Sequence, residues 1–124
     1  MKSSNLFDNL ISKYNLAKNT YENVPVATLE EYGEWLAYFC NKWQHKFVAG
    51  YWHVDLALHP VIWYKAIDEA LDIINSLDPA FRICTIKTKF GGLRIHLHFT
   101  DEEDVIFSAI EELEDVLYDD SFVY

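Results

Sequence analysis

Two histidines on one predicted strand have the spacing most typical of a metal site in this chain. His96 and His98 are separated by one residue, so both imidazoles lie on the same face of an extended strand. His53 and Asp55 occupy outward positions of an earlier predicted strand and complete a candidate set of four ligands. Histidine pairs without a third fixed ligand are nevertheless common in proteins. We therefore expect no bound metal or cofactor, and keep these four residues as a weaker alternative.

Motifs for enzyme catalysis are missing from the sequence. It contains no GxSxG, HExxH or P-loop pattern, and Cys40 and Cys84 lack the CxxC spacing of redox or zinc sites. Gly91 and Gly92 stand between two predicted strands, so no helix N-terminus is available there to bind a phosphate. We therefore predict that the chain is not an enzyme.

The acidic residues are concentrated in one segment. The chain has 20 acidic and 10 basic residues, a net charge of −10, and ten of the acids fall between residues 101 and 120. That segment contains no Lys or Arg, whereas the rest of the chain has acids and bases in equal number. A helix here places Glu111 four residues from Asp115, and Asp115 four residues from Asp119, where like charges repel. The segment gives up local stability, which favours a binding role over a solvated face.

A concentrated negative field directs a protein towards basic surfaces, which are typical of nucleic-acid-binding proteins. Our leading interpretation is a non-catalytic inhibitor of the anti-defence (anti-CRISPR-like) or toxin-immunity kind. Its acidic helix would occupy a site on the partner that is meant for nucleic acid, either as a nucleic-acid mimic or as a wedge, and the chain would not bind nucleic acid itself. The predicted partner-binding residues are the acids of this segment with two aromatic anchors. They are Glu103, Asp104, Glu111, Glu112, Glu114, Asp115, Tyr118, Asp119 and Phe122.

A smaller charged cluster lies between the last two predicted strands. Lys87, Lys89 and Arg94 form a basic tip, but three charges are too few for a nucleic-acid footprint. One alternative function is a self-associating accessory domain, in which the basic tip of one copy contacts the acidic helix of a second copy. Metal or small-ligand binding by the histidine set is the other alternative.

The spacing of apolar residues predicts an α+β fold with the order α-α-β-α-β-β-α. We expect a small three-stranded sheet with amphipathic helices packed mainly on one of its faces. In the last strand, alternate residues should face the core, and the residues between them should face outward. The predicted core residues are Leu93, Ile95, Leu97 and Phe99, and the predicted outward residues are Arg94, His96 and His98.

Local signals predict where the helices and strands begin and end. Ser3 or Ser4 should cap the first helix, and a capping box from Thr28 to Glu31 should open the second, whose aromatic stripe reaches Phe47. A strand is expected over Tyr51–Leu58, followed by a third helix with Pro60 in its first turn and its end at Asp78-Pro79. Gly91-Gly92 should form the hairpin turn, and a second capping box from Thr100 to Glu103 should open the last helix. The last helix should bury Ile106, Ala109, Ile110, Leu113 and Leu117.

Length and composition predict one domain over residues 1–124. Residues 1–26 form an N-terminal helix and connection, and residues 27–120 form an α/β core ending in the acidic helix. No apolar run is long enough to span a bilayer, and no signal-peptide core is present. The two cysteines are expected to be free thiols in a reducing compartment. We therefore expect a cytoplasmic protein of a bacterial host cell.

A resemblance covers about residues 60–99. HPVIWYKAIDEAL followed by ICTIKTKFGGLRIHLHF resembles a group of small, mostly uncharacterised proteins of bacteria and their phages. In that group a tryptophan-containing helix precedes a strand that ends in a KFGGLR-type turn, here Lys89 to Arg94. Many members continue into a cysteine-containing tail, where this chain has its acidic helix. The resemblance implies a microbial or mobile-element origin and no particular activity.

Overall fold

The structure is a computed structural model that describes residues 6–16, 25–48, 54–56, 59–89, 92–98 and 103–117. Within these ranges the chain forms four α-helices, one 3-10 helix and a three-stranded sheet, which confirms the predicted α+β order. The elements are α1 (Asp8–Lys13), α2 (Leu29–Trp43), a 3-10 helix (Gln44–Lys46), β1 (Val54–Asp55), α3 (Val61–Leu77), β2 (Arg82–Lys89), β3 (Gly92–His98) and α4 (Glu103–Val116).

The sheet has the order β1-β2-β3, so β3 is an edge strand. β1 runs parallel to β2, with α3 between them in the chain, and β2 pairs antiparallel with β3. Val54, Ile86 and Ile95 are aligned across the three strands. An irregularity between Ile83 and Thr85 interrupts the β2–β3 register, as a bulge does.

One face of the β2–β3 hairpin is covered and the other is open. The covered face buries Ile83, Ile86, Leu93 and Ile95, each at most 6% exposed. The predicted outward residues Arg94, His96 and His98 are all exposed. Leu97 is half-buried, and Phe99 lies outside the described residues. The period-2 alternation was therefore a reliable guide to this strand.

The helix α3 contributes the largest number of buried side chains among the described elements. It follows Pro60 and ends before Asp78-Pro79, where the sequence predicted its stop. Pro60 was predicted in the first turn of this helix, but in the structure it is the N-cap residue, one position before the helix begins at Val61. Both α1 and α2 contact α3. The residues that α3 buries are Trp63, Tyr64, Ala66, Ile67, Ala70, Leu71 and Ile74. Each of the larger side chains contributes roughly 1.5–3 kcal/mol by leaving water.

The predicted capping box opens α2. Thr28 Oγ1 accepts from the Glu31 N–H at 3.0 Å, and a Glu31 carboxylate oxygen accepts from the Thr28 N–H at 2.8 Å. The prediction that the helix reaches Phe47 is wrong. α2 ends at Trp43 and tightens into the 3-10 helix, because the chain then turns to join the sheet. Phe47 bridges to Ile83, whose carbonyl accepts from the Val48 N–H at 3.0 Å.

Of the strand expected over Tyr51–Leu58, the structure describes residues 54–56, where β1 covers Val54–Asp55 and ends before Leu56. Val54 and Leu56 are buried and Asp55 is exposed, as the alternation predicted. The ladder stops because the Leu56 N–H donates to the Tyr32 hydroxyl at 3.1 Å.

Several predicted boundaries lie partly outside the described residues. α1 follows Phe7, and Ser3 and Ser4 are not described. Gly92 pairs with Lys89 as the first residue of β3, so it belongs to the strand, and Gly91 is not described. Of the second capping box, only Glu103 falls within the described range.

Candidate protein-binding surface

The apolar stripe of α4 packs inward as predicted. All five of its residues are at most 4% exposed: Ile106, Ala109, Ile110, Leu113 and Leu117. Burial of this stripe determines which side of α4 faces solvent. The same 3.6-residue period that buries this stripe directs the residues on the opposite side of α4 to solvent.

An acidic row runs along the exposed side of α4. It consists of Asp104, Glu111 and Asp115, which are all exposed and are spaced so that they follow one face of the helix. Phe107 lies within the same row and is 56% exposed. No ion pair joins these acids to a lysine or arginine within the described part of the chain. The row therefore combines unneutralised charge with an exposed aromatic side chain.

Glu114 differs from the acidic row. A carboxylate oxygen of Glu114 accepts from the Ile95 N–H at 2.8 Å, and the Leu117 carbonyl accepts from the Leu93 N–H at 3.3 Å. These bonds attach α4 to the open edge of β3. Burial raises the pKa of Glu114, although the Ile95 hydrogen bond opposes this shift. Glu114 thus stabilises the fold, a role that sequence reasoning missed although Glu114 stands one turn after buried Ile110.

The other predicted partner-binding residues have mixed positions. Glu112 is half-buried, and Glu103 begins α4 without a described side chain. Tyr118, Asp119 and Phe122 lie outside the described residues.

A groove of about 450 Å³ separates α4 from part of β3. Residues 94–98 of β3 and Cys84 form the sheet side, while Phe107, Ile110, Glu111 and Glu114 form the helix side. Its volume lies within the range of roughly 300–1,000 Å³ that is usual for ligand pockets. The groove adjoins the acidic row at Phe107 and Glu111.

The acids of α3 are paired with lysines. Lys42 Nζ lies 3.1 Å from Asp68 and 3.0 Å from Asp72. Lys13 Nζ lies 3.0 Å from Glu69, which also accepts from the hydroxyl of Tyr14. Burial alone would lower the pKa of Lys42, but its hydrogen bonds to the two aspartates raise it. These carboxylates therefore hold α3 against α1 and α2.

The predicted histidine set is not assembled within the described residues. His96 and His98 are exposed on β3, while Asp55 is aligned with Lys87, and His53 is not described. The described ranges contain no group of three or more His, Cys, Asp or Glu residues that could hold a metal ion.

The basic tip is partly confirmed as a cluster. Lys87 and Arg94 face each other across the β2–β3 pair, and Lys89 pairs with Gly92. The Arg94 guanidinium donates to the carbonyl of Leu93 at 3.0 Å. The side chain of Lys89 is not described.

Both cysteines are free and half-buried. Burial raises the pKa of the Cys40 and Cys84 thiols, which disfavours the nucleophilic thiolate form. No helix among the described residues has the length and apolar character needed to cross a membrane.

Comparisons with protein-family models, with curated proteins and with solved structures returned no match.

Proposed function

We propose that this chain is a non-catalytic protein-binding inhibitor that uses the acidic row of α4 to engage a basic, nucleic-acid-binding partner. The observation that carries the proposal is the lack of ion pairs at Asp104, Glu111 and Asp115 among the described residues, next to exposed Phe107. Unneutralised acids repel each other along a helix, and a basic partner would relieve that repulsion.

The dimensions of the acidic row fit a nucleic-acid mimic. The helical rise over Asp104 to Asp115 is about 16 Å. Duplex DNA rises about 3.4 Å per phosphate along one strand, so the row matches the length of about five phosphates. A partner surface built for that many phosphates would present several Lys or Arg side chains to α4.

Phe107 adds the apolar contact that a specific interface needs. Electrostatic attraction mainly accelerates encounter, whereas a buried aromatic anchor contributes much of the binding free energy. An acidic row without such an anchor would attract any basic protein with similar weak affinity. The anti-defence or toxin-immunity class is proposed because the expected partner is a basic, nucleic-acid-binding protein. The resemblance to small bacterial and phage proteins implies only a microbial or mobile-element origin.

The proposal is tested by capture of partners from a nuclease-treated bacterial lysate. Immobilised wild type is compared with the double variant Glu111→Lys/Asp115→Lys. The matched control is Glu30→Lys/Glu34→Lys, because these exposed α2 acids have the same spacing and give the same change in net charge.

The expected result is a set of basic nucleic-acid-binding proteins retained by wild type and by the α2 variant. The α4 variant should lose them, and added duplex DNA should elute them from wild type. Equal retention by the two double variants, or retention that DNA does not disturb, would contradict the proposal.

Self-association through the basic tip remains the alternative interface. Light scattering across a salt series distinguishes it, because a homodimer held by Lys87, Arg94 and the acidic row should dissociate as salt rises. A molecular mass that stays that of one chain at low salt would exclude this alternative.

A further inference from the structure

The groove between α4 and β3 begins where the hydrogen bonds between these two elements end. Leu93 and Ile95 direct their N–H groups to the open edge of β3, where Leu117 and Glu114 accept them. The two-residue period of a strand directs the Leu97 backbone to the same edge. Among the described residues, no hydrogen bond joins the Leu97 backbone to α4. A short length of sheet edge therefore faces the groove.

The inner surface of the groove is apolar. Ile95 and Leu97 contribute from β3, and Ile110 and Phe107 contribute from α4. Phe107 is 56% exposed, the largest exposure of an aromatic side chain among the described apolar residues. An occupant that covered Phe107 would bury most of a large apolar side chain, which favours association.

The two rims of the groove carry opposite charge. Glu111 stands on the α4 rim, beside the rest of the acidic row, and Arg94 stands on the β3 rim. The Arg94 guanidinium already donates to the Leu93 carbonyl. A bound cation would therefore be drawn to the α4 rim and away from β3.

We propose that this groove receives an extended basic segment of the partner, one whose apolar side chains alternate with Lys or Arg. Its backbone lies along the Leu97 edge, as in strand addition. Its apolar side chains pack against Phe107 and Ile110, and its cations lie beside Glu111, where the groove adjoins the acidic row. This assignment rests on the proposed function and adds to it the chemistry of the bound segment.

Two fluorescent probe peptides of equal length and charge test the assignment. One alternates Arg with Leu and the other alternates Arg with Ser, so that only the first can fill the apolar groove. Anisotropy gives the affinity of each peptide for wild type, for Phe107→Ala, and for the control variant Val105→Ala. Val105 is also exposed on α4, at 37%, but does not line the groove.

The expected result is that wild type and Val105→Ala bind the Arg-Leu peptide at least about tenfold more tightly than the Arg-Ser peptide. Phe107→Ala should remove most of that preference. Amide NMR signals of Leu97 and Phe107 should shift when the Arg-Leu peptide is added, while those of Glu30 and Glu34 should not.

The outcomes separate this inference from the proposed function. Equal binding of both peptides, lost in Glu111→Lys/Asp115→Lys, would overturn the groove assignment and leave the acidic row as the binding surface. If neither peptide binds wild type at low salt, both the groove assignment and the proposed function are overturned. A preference for Arg-Leu that survives Phe107→Ala would also overturn the groove assignment.

Discussion

The acids of α3 and the acidic row of α4 share a charge but have opposite surroundings. On α3, lysines from α1 and α2 neutralise the carboxylates and connect the helices. On α4, the exposed acids form no ion pair with any described residue. The first arrangement is what a fold uses to hold its helices together. The second lowers helix stability, and under the proposed function contacts with a basic partner would offset that cost.

The largest expected effect belongs to Asp68 of α3. Its carboxylate accepts from Trp43 Nε1 at 2.8 Å and from the Tyr38 hydroxyl at 3.0 Å, besides pairing with Lys42. Asp68→Ala leaves the indole N–H of a buried tryptophan without this acceptor, and should lower the free energy of unfolding by about 3 kcal/mol.

Urea denaturation measures this loss, and Asp72→Ala is the matched control. Asp72 is half exposed, and among the described residues its carboxylate pairs with Lys42 alone, so its removal should cost less than about 1 kcal/mol. Equal losses for the two variants would mean that the α3 acids do not hold the helices together as described.

An intermediate effect is expected at Glu114, the one acid among the described side chains of α4 that hydrogen-bonds to another part of the fold. Glu114→Ala removes the acceptor of the Ile95 N–H and should cost about 1–2 kcal/mol. Glu114→Gln keeps an acceptor oxygen and should cost much less. Similar losses for both variants would show that the Ile95 hydrogen bond does not stabilise the attachment of α4.

The raised pKa of Glu114 also predicts the pH dependence of stability. Burial favours the protonated form of Glu114 in the folded state. The stability that this protonation adds to the fold is complete below the ordinary glutamate pKa of 4.5, and it is lost as the pH rises through the raised pKa of the folded state. Above pH 4.5, wild type should therefore lose stability relative to Glu114→Gln. Urea titrations of both proteins across this range check the sign, and parallel curves would contradict it.

The smallest effect should have opposite signs on the two helices. Glu111→Lys replaces a repulsion with Asp115 by an attraction and should raise the free energy of unfolding by about 0.5 kcal/mol. Asp72→Lys replaces the contact with Lys42 by a repulsion and should lower it by about 0.5 kcal/mol. Thermal unfolding at low salt measures both changes, and both should shrink in 1 M salt, as screening requires. If both variants changed the free energy of unfolding in the same direction, the contrast between the paired acids of α3 and the acidic row of α4 would be wrong.

Periodicity predicted the parts of this chain that depend on a single buried face. The stripe of α4 was correct, and so was the alternation of β3 at Leu93 and Ile95 and at its outward residues, because each residue's position follows from its own element. Leu97 is only half-buried. Glu114 was missed because its partner, the Ile95 N–H, lies across a tertiary contact with a strand edge. The lysine pairs of α3 were missed for the same reason, since Lys13 and Lys42 come from other helices.

Competition for backbone hydrogen bonds explains the errors at element ends. The 3-10 helix after Trp43 and the short β1 both stop where a neighbouring element supplies a different partner. For Val48 that partner is the Ile83 carbonyl, and for Leu56 it is the Tyr32 hydroxyl. Sequence periodicity contains no information about such partners, because they depend on how the elements pack.

Binding by the proposed inhibitor should depend on the acidic row of α4 and not on net charge. The most direct test is the affinity of the alternating Arg-Ser peptide for wild type, Glu111→Lys/Asp115→Lys and Glu30→Lys/Glu34→Lys at one low salt concentration. Loss of two close charge pairs should weaken binding to the α4 variant by about tenfold, while the α2 variant stays within about threefold of wild type. Equal weakening of the two variants would contradict the claim.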